Sequence, residues 1–255
     1  MNILIAVPVF DYKDKFVRNF IEFWSELLIT PKAYKCAYTF VYRQQLDIAQ
    51  NRIAKEALAK DFTHILLIED DIYGYTKVHL DKLLMDNLDI VCGACYGSEF
   101  PYDLLASRRF DKSFKYATLV RPPGKNLYEI PEPKGIQEVD LTHTGFSLIK
   151  TDVFRRLEYP YFDAMHEYNS DGYFYEKAQN AGFKVHVDCD VVLDHRGVTP
   201  KNVQLYKQLG MANDVYKGME PDQVRVFKDE EEAKKYEEEL KAKILVAEGV
   251  RVGGA

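Results

Sequence analysis

The amino-acid sequence predicts an α/β fold in which a mostly parallel sheet is flanked by helices, with a helical extension at the C-terminal end. Through residues 1–95, short apolar runs of β-forming residues alternate with segments of helical spacing. Strands and helices that alternate in this way imply right-handed crossovers and a buried parallel sheet. Hydrophobic residues make up 47% of the 255-residue chain, which is enough to fill the core of one sizeable domain.

Apolar runs mark the predicted strands, and apolar residues repeated every three or four positions mark the helices. In the first part of the chain, strands are predicted at residues 3–9, 37–42, 64–68 and 89–96, with helices at 16–28, 46–60 and 77–85. Residues 97–138 hold five of the ten prolines and are predicted as loops around a small antiparallel ribbon, a region suited to shape a substrate pocket. Regular structure is then expected at residues 139–149, with a short helix from Asp152, a helix at 171–181 and a strand at 184–193.

The composition divides the chain into a main domain, residues 1–225, and a C-terminal strand and helix extension, residues 226–255. Asp229 and Glu232 have the spacing of a helix N-cap and its capping partner. The helix that follows is heavily charged and carries an apolar stripe of Ala233, Tyr236, Leu240, Ile244 and Ala247. This stripe packs either against the protein's own main domain or against a second copy in a homodimer, and the pattern leaves both open.

The charge, the apolar segments and the cysteines limit the class of protein. Acidic residues outnumber basic ones by 40 − 34 = 6 without a basic cluster, so no nucleic-acid partner is expected. No segment approaches the roughly 20 apolar residues that span a bilayer, and the N-terminus lacks the features of a signal peptide. Cys92 and Cys95 form a CxxC inside an apolar run, where buried thiols are favoured over a zinc or redox site. A cytoplasmic protein without a transmembrane segment is expected.

Three consecutive carboxylates, Glu69, Asp70 and Asp71, follow the predicted strand at 64–68. Side chains alternate along an extended chain, so Glu69 and Asp71 are expected to face one way and Asp70 the other. Ligands bind at the carboxyl ends of the strands in an open α/β sheet, and two carboxylates there suit Mg²⁺ or Mn²⁺. The alternative interpretation is a solvated acidic turn.

Two further residues lie at the ends of predicted elements. His195 follows an apolar strand, and imidazole binds Mn²⁺ as well as zinc, so this residue could complete a metal site begun by Asp71. A single histidine is otherwise more often structural. Asp171 opens a predicted helix, where aspartate is a favoured N-cap and where a carboxylate is also well placed to act as a general base. The two roles of Asp171 are compatible, because a capped helix start is rigid.

Several short motifs together resemble the GT-A glycosyltransferases, in particular the family-2-like group. They are Ala6-Val-Pro-Val-Phe10 at the Pro-containing end of the first strand, the Ala-Arg-Asn-like Ile48-Ala-Gln-Asn-Arg52, the Asp-x-Asp-like Glu69-Asp-Asp71, Thr144-Gly-Phe146, the Glu-Asp-like Ser170-Asp171, and His195 after the last core strand. The motifs follow the family's order and cover residues 3–197. Two positions depart from the pattern, because Glu69 replaces the first Asp and Ser170 replaces the Glu that usually precedes the base.

The resemblance implies a metal-dependent glycosyltransferase that moves a sugar from a nucleotide-sugar donor to an acceptor hydroxyl with inversion. In such an enzyme Asp171 would be the general base, and Mn²⁺ or Mg²⁺ would be held by Asp71 and His195 with Glu69. The implied donor-binding residues are Pro8, Val9, Phe10, Asn51, Arg52, Glu69, Asp70 and Gly145. For Asn51 and Arg52 the competing interpretation is an ordinary polar helix face. The acceptor is not identified and could be a glycan, a lipid-linked molecule or a protein.

Two other functions remain compatible with the sequence. A sugar nucleotidyltransferase would share the sheet and the metal, but such enzymes usually carry a glycine-rich Arg/Lys loop after the first strand. This chain has Val9-Phe-Asp-Tyr-Lys-Asp14 at that place, without a glycine. The replacements at Glu69 and Ser170 favour the second alternative, a non-catalytic module that binds sugar nucleotides or glycans.

Overall fold

The computed structural model describes residues 1–11, 13–96, 104–107, 134–165 and 169–196. All of them belong to one of the chain's two compact units, which consists of Met1–Arg108 and Ile130–Val203. The predicted C-terminal extension, its helix and the homodimer contact lie outside the described residues, as does most of the predicted loop region 97–138. The domain boundary at residue 225 therefore stays a prediction.

The secondary structure of the described residues follows the predicted alternation of strands and helices. The strands are β1 (Asn2–Val9), β2 (Lys35–Tyr42), β3 (His64–Ile68), β4 (Ile72–Tyr73), β5 (Ile90–Ala94), β6 (Ala106–Ser107), β7 (Ile136–Val139), β8 (Leu141–Thr142), β9 (Phe146–Lys150), β10 (Val185–Val192) and β11 (Asp194–His195). The helices are α1 (Asp14–Ile29), α2 (Leu46–Ala59), α3 (Lys77–Asp86), α4 (Thr151–Arg156) and α5 (Asn169–Asn180).

Seven of the strands form a central sheet in the order β2-β1-β3-β9-β5-β10-β7. β1 pairs in parallel with β2 and β3, and β5 pairs in parallel with β10. β9 runs antiparallel between β3 and β5, and β7 is antiparallel to β10 at the edge. Five strands of this sheet thus point the same way, which confirms the predicted mostly parallel α/β sheet flanked by helices.

Both faces of the sheet are buried, which explains the unbroken apolar run at the start of the sequence. In β1, Leu4 and Ala6 pack into the core on the α2 side, whereas Ile3, Ile5 and Val7 pack with the aromatic face of α1. All five are at most 1% exposed. A strand buried on both faces has no polar side, so its sequence shows no alternation. Each such side chain contributes about 1.5–3 kcal/mol through its burial.

The helices begin and end where local signals place them. The buried side of α1 consists of Phe16, Phe20, Phe23 and Leu27, spaced three or four residues apart. α3 begins with a capping box between Thr76 and His79 and ends at Asn87, which adopts the left-handed conformation common at helix C-termini. None of the helices in the described part of the chain is long and apolar enough to cross a membrane.

The two cysteines of the CxxC lie in the core. Cys92 is in β5, Cys95 directly follows this strand, and both are free thiols with no exposed surface. Burial raises the pKa of each thiol, to about 11 for Cys92, so both stay protonated at neutral pH. The prediction of buried strand thiols is confirmed.

A small antiparallel pair brings two distant segments to the carboxyl edge of the sheet. β4 pairs with β11, so that Tyr73 lies opposite Asp194 and Ile72 lies opposite His195. β4 begins directly after Asp71, which follows the end of β3. The pairing therefore places His195 beside the acidic segment, although the two are far apart in the sequence.

Candidate functional site

The acidic segment after β3 is a turn and not an extended chain. The backbone N–H of Ile72 donates to the carbonyl of Glu69 at 3.2 Å, so the chain reverses within four residues. The expectation that Glu69 and Asp71 face the same way assumed an extended chain and is wrong. The three carboxylates have three different sets of partners.

Asp71 is buried beside His195 and Arg196. Its Oδ2 lies 3.7 Å from Nε2 of His195 and 2.8 Å from Nε of Arg196. Burial alone would raise the pKa of Asp71, but the hydrogen bonds and positive charge of His195 and Arg196 outweigh it, and the pKa lies below its ordinary value. Asp71 is therefore an ionised carboxylate at neutral pH.

The other oxygen of Asp71 is left without a partner. Oδ1 is buried and accepts no hydrogen bond from the described residues. Nδ1 of His195 lies 2.9 Å from the carbonyl oxygen of Tyr96, and since a carbonyl only accepts, this nitrogen carries the ring proton. Nε2 of His195 then faces Asp71 and has two states: a protonated ring donates to the carboxylate, and a neutral ring presents a lone pair. In the neutral state two electron-rich groups lie close together, and a cation that contacts both would stabilise them.

Asp71 and His195 together fit a divalent cation. A metal-binding histidine almost always donates its second ring N–H to a carboxylate, a water or a backbone carbonyl, as His195 does. Mg²⁺ is usually bound through one or two carboxylates, and water and substrate phosphates fill its other positions. Within the ranges that the structure describes, no three His, Cys, Asp or Glu side chains are grouped to hold an ion. Glu69 is therefore not grouped with Asp71 and His195, contrary to the prediction that all three hold the metal.

Asp70 holds the loop between β1 and α1. Its Oδ2 accepts the backbone N–H groups of Phe10 (2.9 Å) and Asp11 (3.2 Å), and its Oδ1 forms an ion pair with Lys13 at 3.1 Å. The side chain of Phe10 is 76% exposed. The structure thus brings the predicted donor-binding residues Phe10 and Asp70 together, with the Asp70 carboxylate directed to the loop backbone.

Glu69 points to a second cluster, formed with Thr144 and Asp171. Oγ1 of Thr144 lies 2.7 Å from Oε1 of Glu69 and 2.8 Å from Oδ1 of Asp171, and the N–H of Thr144 donates to Oδ2 of Asp171 at 3.2 Å. One hydroxyl proton cannot serve two carboxylates at once, so the second bond requires a proton on one of them. Burial and then the charge of Asp171 raise the pKa of Glu69 to about 8, and burial raises the pKa of Asp171. The pair therefore holds one proton at neutral pH.

Two further side chains complete this cluster and were not predicted as site residues. Nε2 of Gln50 donates to Oγ1 of Thr144 at 2.9 Å and lies 3.4 Å from Oδ1 of Asp171. Oγ of Ser170 donates to Oε1 of Gln50. Gln50, Thr144 and Ser170 are each at most 4% exposed. In the sequence, these residues are marked by their position inside the motifs. No local pattern reveals that residues 50 and 170 are in contact.

The helix that carries Asp171 is capped by another residue. Oδ1 of Asn169 accepts the backbone N–H groups of Asp171 (3.0 Å) and Gly172 (3.1 Å). The expectation that Asp171 caps this helix is therefore wrong. Because Asn169 takes that role, the carboxylate of Asp171 is directed to Thr144 and Gln50.

Asn51 braces the chain instead of facing a ligand. Its Nδ2 donates to the carbonyls of Asp47 (2.8 Å) and Phe162 (2.7 Å), and its Oδ1 accepts the N–H groups of Tyr161 (2.8 Å) and Phe162 (3.2 Å). These bonds use both amide protons and both lone pairs. The structure thus favours a bracing role for Asn51 over the predicted donor contact. Arg52 lies exposed on the same helix.

Gly145 allows β9 to approach the acidic turn closely. Its carbonyl accepts the N–H of Glu69 at 2.9 Å, and its N–H donates to Nδ1 of His143 at 3.0 Å. A Cβ atom at this position would lie 2.8 Å from Cγ1 of Ile72, closer than real Cβ atoms come. The glycine is thus required by packing within the protein, and its predicted contact with the donor stays a prediction. His143 donates from Nε2 to the Gly93 carbonyl, and burial lowers the pKa of His143 to about 4.

An apolar cavity of about 310 Å³ lies between α1 and β2. It is lined by Val9, which follows the buried Pro8 at the end of β1, and by aromatic side chains that include Phe16, Trp24 and Phe40. The predicted donor-binding residues Pro8 and Val9 therefore belong to the strand end that borders this cavity. No carboxylate or imidazole is among its lining residues, so the acid–base groups lie in the two clusters described above.

Comparisons with known proteins add fold-level similarities. No protein-family model matches the sequence, and no curated protein matches it. The chain is similar to a crystal structure of A197 from STIV, with 15% identity and a TM-score of 0.48, covering 77% of this chain and 83% of that one. It is also similar to CMP:2-keto-3-deoxy-manno-octonic acid synthetase complexed with CTP, with 12% identity and a TM-score of 0.42 over 84% of this chain and 100% of that one.

A third similar structure is GalNAc-T7 with UDP, GalNAc and Mn²⁺, with 13% identity and a TM-score of 0.43. That similarity covers 94% of this chain but 54% of the GalNAc-T7 chain. Likenesses at these identities and TM-scores do not reveal a shared activity. The functional evidence lies in the two side-chain clusters at the carboxyl edge of the sheet.

Proposed function

We propose that this protein is a metal-dependent glycosyltransferase that moves a sugar from a nucleotide-sugar donor to an acceptor hydroxyl. The proposal is carried by Oδ1 of Asp71, which is buried without a hydrogen-bond partner among the described residues, beside Nε2 of His195 at the carboxyl end of β3. The order of the sequence motifs, which resembles that of GT-A glycosyltransferases, supports the same function. Mn²⁺ or Mg²⁺ bound there would neutralise the diphosphate of the donor.

The charges around this pair suit an anionic donor. Lys13 and Arg196 lie at the rim, paired with Asp70 and Asp71, and their side chains are 41% and 61% exposed. Arg196 contacts Oδ2 of Asp71, whereas the oxygen proposed for the cation is Oδ1. A guanidinium forms strong, directional hydrogen bonds with phosphate oxygens, so Arg196 beside the pair suits a diphosphate.

Asp171 supports the transfer step. A base that takes the proton of the acceptor hydroxyl promotes attack on the anomeric carbon from the face opposite the leaving diphosphate, and this attack inverts the configuration. The raised pKa of Asp171 makes its carboxylate a stronger base than one in water. Among the described residues Oδ2 accepts one hydrogen bond, from the N–H of Thr144, and so keeps a lone pair for a substrate proton.

Calorimetric titration with nucleoside diphosphates tests the donor half of the proposal. We expect binding at least about 10-fold tighter with Mn²⁺ or Mg²⁺ than with excess chelator, and we expect Asp71→Asn to lose this dependence. Asparagine keeps the size of the side chain and removes its charge. The matched control is Asp152→Asn, because Asp152 is an exposed acid paired with Arg155 on α4 and should bind as the unaltered protein does. Equal affinity with and without the ion would refute the metal site.

Turnover separates the proposed enzyme from the two alternatives. Release of a nucleoside diphosphate from a nucleotide-sugar in the presence of Mn²⁺ supports the transferase. Release of pyrophosphate from a nucleoside triphosphate and a sugar phosphate would support a nucleotidyltransferase. Tight binding without either reaction would leave the non-catalytic module. A product of retained configuration would contradict Asp171 as the base.

A further inference from the structure

The contact between Gln50 and Ser170 joins two of the sequence motifs. Ser170 stands where the Glu-Asp motif has its glutamate, and Gln50 stands at the central position of the Ala-Arg-Asn-like segment. The two are separated by 120 positions, yet Oγ of Ser170 donates to Oε1 of Gln50. Their side chains are 4% and 1% exposed. In the motifs these two positions hold Arg and Glu, which carry opposite charges. In this protein they hold a neutral, buried, hydrogen-bonded pair.

The direction of this hydrogen bond determines what Gln50 can do. Because the hydroxyl of Ser170 donates to Oε1, the amide group is fixed with Nε2 on the opposite side. Nε2 then donates to Oγ1 of Thr144 at 2.9 Å and lies 3.4 Å from Oδ1 of Asp171. An amide without the Ser170 bond could rotate and present its oxygen to the carboxylate, which would repel it.

We propose that Gln50 and Ser170 are positioning residues that hold Thr144 and Asp171 in the geometry required for transfer. This inference rests on the proposed role of Asp171 as the general base. Ser170 orients the amide of Gln50, Gln50 orients the hydroxyl of Thr144, and Thr144 holds Asp171 through both its hydroxyl and its N–H. The chain of contacts is buried, so water does not compete for these bonds.

Steady-state kinetics of two variants test the positioning role. Gln50→Met and Ser170→Ala should each lower kcat by about 10²-fold and leave the KM for the donor unchanged, because a misplaced base affects the chemical step. Ser170→Thr keeps the hydroxyl and should retain most of kcat. The matched control is Gln179→Met, since Gln179 lies on the same helix and donates to the Asp140 carbonyl at 2.7 Å. Equal kcat values for Ser170→Ala and Ser170→Thr would overturn the inference.

A carboxyl-carbon NMR titration of Asp171 gives a readout that does not depend on turnover. Among the described residues, the charge of Asp171 raises the pKa of Glu69 in the turn after β3, of Cys92 in β5 and of Tyr175 in α5. The bond from Gln50 lowers the pKa of Asp171, so this pKa should rise in Gln50→Met and in Ser170→Ala but not in Gln179→Met. An unchanged pKa in both variants would overturn the inference. A raised pKa in a protein without any transfer activity would overturn the proposed function and leave the positioning contacts established.

Discussion

Replacing Thr144 by valine removes one hydroxyl group and keeps the shape of a side chain that has no exposed surface. The lost oxygen lies 2.7 Å from Glu69 and 2.8 Å from Asp171, and it accepts the N–H of Gln50 at 2.9 Å. A hydrogen bond to a charged group contributes about 1.5–3 kcal/mol, and the hydroxyl donates one such bond at a time. We therefore expect Thr144→Val to lower the free energy of unfolding by about 1.5–3 kcal/mol.

Urea denaturation followed by circular dichroism at pH 6 and pH 8 measures this cost. The bonds from Thr144 lower the pKa of both carboxyl groups, so the valine variant has higher pKa values in the folded state. A carboxyl group with a raised folded pKa loses stability as the pH rises through that value, because the unfolded chain ionises more readily. The cost of the valine should therefore be larger at pH 8 than at pH 6.

The control is Thr144→Ser, which keeps the hydroxyl and loses one buried methyl group, a change that costs about 1 kcal/mol. This cost should not depend on pH. A valine variant as stable as the unaltered protein at both pH values would refute the reasoning. A valine cost that stays constant with pH would show that the hydroxyl does not serve an ionised carboxylate.

Three other substitutions test contacts around the same edge of the sheet. Burial lowers the pKa of His143 from 6.5 to about 4, so the folded protein loses stability as the pH falls from 6.5 to 4. His143→Gln should reduce this loss, measured as the difference in the free energy of unfolding between urea titrations at pH 7.5 and pH 4.5. Asn51→Ala removes four hydrogen bonds to backbone groups and should lower the free energy of unfolding by about 3 kcal/mol or more, whereas exposed Arg52→Ala should change it by less than about 0.5 kcal/mol; similar costs would contradict the bracing role. Gly145→Ala should cost about 1–3 kcal/mol because its Cβ meets Cγ1 of Ile72, and a double-mutant cycle with Ile72→Ala, which removes this atom, should show favourable coupling; additive costs would argue against this clash.

The local elements could be predicted because their signals lie within single segments. The strand predicted at 64–68 coincides with β3, and the helix predicted at 46–60 coincides with α2 to within one residue. A strand buried on both faces requires a continuous apolar run, and an amphipathic helix requires a periodic one. The parallel order of the strands follows from their alternation with helices, which leaves few ways to connect them.

The geometry of the candidate site could be predicted only in part, because it depends on contacts between distant segments. The sequence placed Asp71 and His195 at strand ends, and the structure brings them to 3.7 Å. The separation of Glu69 from Asp71 depends on one turn hydrogen bond, which three consecutive acids do not reveal. The contact of Gln50 with Ser170 joins two helices 120 positions apart, and neither helix carries a local signal for the other.

The pairing of β4 with β11 makes the candidate cation site depend on two segments that lie far apart in the chain. His195 follows Asp71 by 195 − 71 = 124 positions, and the two meet because β11 pairs with β4, next to the end of β10. The entropy cost of closing a loop of this length is met by folding, before any ligand arrives. A divalent ion that contacts both side chains therefore binds folded molecules and not unfolded ones, and raises the melting temperature with its concentration. The amount of ion bound at saturation would therefore also measure the fraction of chains that are folded as far as residue 195.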